Sequence, residues 1–187
     1  MAVTSLDATT ALIIVDLQHG IVGYPFIHPI GEVIERSRAL LDAFRERGLP
    51  VALVNVSGFA PGRTERPRRS TELPADWADL IAQLGQQPSD ILVTKRSWGA
   101  FANTDLEAQL KALNVTQVVI TGVVTGTGVE ATARQAYEFG FNVTLAIDAM
   151  TDVSPEAHAY SLQHVFPKLG ESGTAKAIIE LLDNRGN

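Results

Sequence analysis

No cysteine occurs anywhere in the 187 residues. Disulfides, thiolate metal sites and thiol nucleophiles are therefore excluded at once. Positive charge is also scarce: 15 Lys and Arg stand against 21 Asp and Glu, a formal net charge of -6. That balance argues against a nucleic-acid partner, because phosphate binding needs a basic surface. No run of residues is long and apolar enough to span a bilayer. The opening MAVTSLDATT has neither the basic start nor the apolar stretch of a secretory signal. What remains is a chain with an ordinary 45% hydrophobic content, long enough to bury a core. It is expected to form one domain over residues 1–187, soluble and cytoplasmic, with no membrane association.

Short apolar runs rich in Val and Ile recur at 11–17 (ALIIVDL), 51–56 (VALVNV), 90–95 (DILVTK), 117–124 (QVVITGVV) and 142–148 (NVTLAID). Continuous runs of this kind fit strands buried on both faces of a parallel sheet. Helical patterns lie between them. Val33, Ser37, Leu40, Leu41 and Phe44 share one face, and Gly48 and Pro50 stop that helix. Leu106, Leu110 and Leu113 mark a second helix, opened by a capping box from Thr104 to Glu107. Ser154-Pro155 opens a third, and residues 174–182 close the series with an amphipathic helix. The alternation predicts right-handed βαβ crossovers and an α/β fold, a three-layer α/β/α arrangement around an open, mainly parallel sheet.

Residues 57–74 break the rhythm with Gly, Pro and four arginines, Arg63, Arg66, Arg68 and Arg69. Such a run reads either as a solvated loop or as a flap whose arginines meet an anionic substrate. Ligands of open parallel sheets bind beyond the carboxyl ends of the strands. Asp16 stands at the end of the first strand and Lys95 at the end of the third. The turn in TGVVTGTGVEATAR (121–134) follows the fourth. Thr127 to Glu130 has the capping-box pattern, which predicts Thr127 as N-cap and Gly128 as the first helical residue. Amides at such a helix start can hold an oxyanion or a carboxylate, and Gly128 lets a ligand approach the backbone closely. Trp98 and Phe101 are candidates for the walls of a flat pocket. His19, His28, His158 and His164 show no ligand spacing, and His158 reads as a structural helix residue.

The ordered elements VDLQ, VTKRSWGAF, GVVTGTGVEATARQAYEFGFNVTLAIDA and SPEAHAYSLQHVFPKLG resemble the isochorismatase-like cysteine hydrolase superfamily over nearly the whole chain. The resemblance implies a Rossmann-like α/β/α fold and an Asp–Lys–Cys triad, with Asp16 and Lys95 in the first two places and Gly128 where the thiol stands. It implies a cis peptide between Val123 and Val124. Val124, Thr125 and Thr127 join Trp98 and Phe101 as candidate substrate-binding residues. A homo-oligomer is frequent in the family and is expected here. The metal-binding D-x-H loop of nicotinamidase-like members is absent from 23–30, so no metal and no other cofactor is expected. The polar Gln that isochorismatases carry after the second strand is replaced by the neighbourhood of Asn55 and Ser57, a departure that bears on the substrate.

Without the thiol, the attack on a carbonyl made by the family's amidases is closed. Isochorismatases proper also have Gly at this place and hydrolyse an enol ether. By that analogy Asp16 is a general acid, and Lys95 orients it and holds the carboxylate of a small-molecule substrate. A general acid must start protonated; burial raises the pKa of Asp16 while the Lys95 ammonium lowers it. An ionised Asp16 would instead act as a base toward water, opening an amide or similar C–N bond. A third possibility is a small-molecule binding protein that has lost catalysis.

Overall fold

The computed structural model describes residues 3–65 and 73–184. Six parallel strands form one sheet: β1 (Thr10–Val15), β2 (Val51–Val56), β3 (Ile91–Lys95), β4 (Gln117–Val123), β5 (Asn142–Thr151) and β6 (Glu171–Gly173). Their order is β3-β2-β1-β4-β5-β6, so the chain winds outward from β1 in both directions. The helices are α1 (His19–Val22), α2 (Ile30–Glu46), α3 (Leu106–Ala112), α4 (Glu130–Glu138), α5 (Pro155–Tyr160), α6 (Phe166–Leu169) and α7 (Ala175–Asp183).

Side chains alternate across each strand, and the two halves of the core follow from that. Ile13, Val15, Val54 and Ile120 join Leu106, Leu110, Ala133 and Phe166 on the face covered by α3, α4 and α6. Leu12, Ile14, Leu53 and Val119 join Leu40, Phe44, Ile178 and Leu182 on the face covered by α2 and α7. The predicted α/β/α layering is present, with β1 and β4 buried along their whole length.

Four local expectations are corrected. β6 has only three residues and no apolar run, and it exists because Glu171–Gly173 pairs with Thr144–Ala146 of β5. Between β2 and β3 the described residues hold only a 3-10 turn, Ala82–Leu84, instead of a crossover helix. The box at Thr104 does not form: α3 starts at Leu106, and the Thr104 hydroxyl donates to Ala100 O at 2.7 Å. The box at Thr127 does not form either. Thr127 lies inside a wide helical turn, Thr125–Val129, that leads into α4. Its amide donates to Val124 O at 3.1 Å, and Glu130 bonds to Arg134 and Ser161 rather than back to Thr127. The caps at Ser154 and Thr174 are present, each hydroxyl accepting an amide three residues on at 3.1 Å. Among the described residues no helix is long and apolar enough to cross a membrane.

Candidate active site

Three strand ends bring the candidate residues together. After β1 the backbone turns at Asp16, whose φ of 55° lies in the left-handed region, which short polar residues tolerate better than most. The Asp16 amide donates to Val54 O and its carbonyl accepts from Gln18 N, both at 2.9 Å. The Gln18 side chain reinforces this corner. Its amide donates to Val56 O and Trp77 O, and its oxygen accepts from Val56 N.

Lys95 ends β3, and the sheet order puts β2 between it and Asp16. The two charges are therefore separated by one strand. Two strand spacings are about 10 Å, a gap that a side chain as long as lysine can close. Lys95 Nζ donates to Asp16 Oδ2 at 2.7 Å and to Ser97 O at 3.2 Å. Both partners are buried, Lys95 at 2% exposure and Asp16 at 5%. Burial pushes the Asp16 carboxyl up to about 6, outweighing the Lys95 ammonium that pulls it down. Asp16 Oδ1 and Ser97 Oγ are shielded from solvent and have no hydrogen-bond partner among the described residues.

Gly128 completes the corner. A Cβ on it would stand 3.0 Å from Asp16 Oδ2 and 3.2 Å from Val15 Cγ1, so glycine leaves the carboxyl room against this backbone. The peptide from Val123 to Val124 is cis. Two amides of this turn are committed within the protein: Gly126 N donates to Asp152 Oδ2 at 2.7 Å and Thr127 N to Val124 O at 3.1 Å. Behind the turn His158 Nδ1 meets Thr125 Oγ1 at 2.9 Å, and His28 lies edge-on to His158 at 5.0 Å. Burial and the neighbouring His28 lower the His158 pKa, against Asp152, which raises it.

These residues open into a cavity of about 700 Å³. Asp16, Lys95, Trp98, Val124, Thr127 and Gly128 line it, and Trp98 is 67% exposed. Two predicted wall residues lie elsewhere. Phe101 is in the core at 5% exposure, stacked on Phe141 and tilted against Phe139. Thr125 is fully buried, facing His158. Asn55 does not replace the family's Gln in this cavity; its amide donates to Ala78 O at 2.6 Å and it borders a different cleft. The wall also holds Tyr24, Phe59, Trp77 and Ser97, which the sequence reading did not single out. They come from connecting segments, where no periodicity marks the inward side. Arg63 of the arginine-rich loop lines the cavity, whereas Arg66, Arg68 and Arg69 lie outside the described residues. Among the described residues no group of three or more His, Asp or Glu could hold a metal.

Comparison with known proteins agrees with this fold. The isochorismatase domain model matches residues 10–177. YwoC, an isochorismatase family protein of Bacillus subtilis (strain 168), is 40% identical, with 91% of this chain and 93% of YwoC covered. The solved structure of an isochorismatase family protein from Burkholderia thailandensis superposes with a TM-score of 0.92 at 39% identity, covering 96% of this chain and 98% of that one. More distantly, the ureidoacrylate amidohydrolase RutB of Methylobacterium radiotolerans is 31% identical over 84% of this chain and 73% of its own.

Proposed function

The chain belongs to the isochorismatase family and is a hydrolase, and from that premise we propose that it hydrolyses a small carboxylated enol ether without a covalent intermediate. The observation that carries the reading is the asymmetry of the Asp16 carboxyl. Oδ2 is tied to the Lys95 ammonium while Oδ1 has no partner, in a group pushed up to about 6. The proton therefore belongs on Oδ1, the oxygen left free to deliver it.

In this mechanism the Oδ1–H bond breaks and its proton goes to the terminal vinyl carbon. The ether oxygen supplies the electron pair of the resulting oxocarbenium ion. Water adds to the carbon that bears the ether oxygen, the cationic centre of that ion, and returns a proton to the Asp16 carboxylate. The hemiketal then collapses to pyruvate and an alcohol. Lys95 stabilises the carboxylate that appears when Asp16 gives up its proton. Arg63 on the lining of the cavity suits the approach of an anion to a protein of net charge -6.

A second reading is supported by the relative named an amidohydrolase: an ionised Asp16 acting as base toward water on an amide-type bond. The two readings have opposite pH signatures. Protonated Asp16 is the active form for an enol ether, so the rate falls as pH rises through about 6. Ionised Asp16 is the active form for water attack, so that rate climbs over the same interval. The test is pyruvate release from 2-methoxyacrylate between pH 4.5 and 8. A loss of roughly a hundredfold or more is expected in Asp16→Asn, with a smaller loss in Lys95→Ala. Near wild-type turnover by Asp16→Asn would refute the acid role. Turnover of amides alone would favour the base reading, and tight binding without turnover a binding protein.

A further inference from the structure

We propose that Ser97 is a substrate-binding residue, its hydroxyl and the third N–H of Lys95 together seating the substrate carboxylate. The inference rests on the carboxylated substrate proposed above and says where that carboxylate is held. Ser97 Oγ and Asp16 Oδ1 are the two buried side-chain polar atoms without a partner among the described residues, and both residues line the same cavity. A shielded hydroxyl without a partner is unfavourable in the free protein, and such groups persist chiefly where a ligand completes them.

The neighbouring contacts indicate what that ligand offers. Lys95 Nζ has three protons and, among the described residues, two acceptors: Asp16 Oδ2 and Ser97 O. The second contact, at 3.2 Å, sets the ammonium directly against the residue that carries the unpaired hydroxyl. Two donors on the lining of one cavity, one of them charged, match an acceptor-only group with two oxygens. A neutral amide brings one acceptor oxygen and no charge, so it gains less from the ammonium. The adjoining Trp98, largely exposed and on the same wall, offers its ring to the apolar remainder of the substrate.

The test separates a ligand role from a structural one. 2-Methoxypropanoate resembles the enol ether but has no vinyl carbon to protonate, and 2-methoxypropanamide is its neutral counterpart. Calorimetric titration is expected to show the carboxylate binding Ser97→Ala at least about tenfold more weakly than wild type, with amide binding unchanged. The free variant should melt at the same temperature as wild type or higher, because an unpaired buried hydroxyl has been removed. A clearly lower melting temperature, or failure to fold, would assign the hydroxyl to the scaffold and overturn the proposal. Undiminished carboxylate binding by the variant would overturn the Ser97 seat alone. Failure of wild type to bind the carboxylate would overturn the substrate reading and the seat with it.

Discussion

A Cβ at position 128 would stand 3.0 Å from Asp16 Oδ2 and 3.3 Å from Val123 O, close enough that the carboxyl must give by a few tenths of an ångström to admit a side chain. Gly128→Cys is accordingly expected to fold at a cost of about 1–3 kcal/mol, read from urea denaturation. Enol-ether turnover should fall, because Asp16 must shift to admit the side chain. The new thiol borders the Lys95 ammonium and the start of the helical turn, both of which favour a thiolate. Alkylation by iodoacetamide at pH 7 should therefore outpace that of a free cysteine. An inert thiol in the folded variant would show that this junction is not open to the cavity. Asp16, Lys95 and Gly128 are legible in the sequence because each sits where an apolar run ends, and parallel sheets gather such ends at one edge. The unpaired hydroxyl of Ser97 is not legible, since a missing partner is a property of the folded surroundings. Phe101 illustrates the opposite error. Its ring type suits a pocket wall equally well, and only the packing of Phe139 and Phe141 places it in the core.

The strands and long helices could be read because periodicity and stop residues mark them: α2 spans Ile30–Glu46 with its apolar face as predicted. The turn before α4 could not. Its four-residue capping pattern is overridden by Asp152, which accepts from Gly126 N at 2.7 Å and from Ser154 N at 3.0 Å. This one buried carboxylate thus fastens the Gly128 turn to the start of α5, and His158 of α5 returns the contact through Thr125. Asp152→Ala would leave both amides without that acceptor and is expected to destabilise by about 2–4 kcal/mol. Turnover should fall alongside, because the turn that carries Gly128 loses its anchor. Urea midpoints and kcat measured on the same preparation check the link. Full activity in a destabilised variant would show that Asp152 serves the fold alone.

The whole molecule bears the cost of holding the Asp16–Lys95 pair away from water. Asp16 has a folded-state pKa raised from 3.8 to about 6. The folded protein therefore holds that proton more tightly than the unfolded chain does. The stability contributed is present in full below about 4 and is lost as pH rises through about 6. Other carboxylates titrate over the same range, so the pair has to be isolated by difference. Asp16→Asn combined with Lys95→Met replaces both charges with neutral groups of similar size and leaves neither ion alone. Replacing a buried pair in this way is often neutral or stabilising by about 1–4 kcal/mol. The double variant should gain on wild type as pH rises from 4 to 7, by an amount on the order of 2–3 kcal/mol. It should at the same time be inactive. Urea denaturation of both proteins at pH 4, 5.5 and 7 measures the difference. An advantage that shrinks with rising pH would mean that ionised Asp16 is stabilised by Lys95 more than burial opposes it. The carboxyl would then be a poor proton donor near neutrality, and the balance would move to its role as a base toward water.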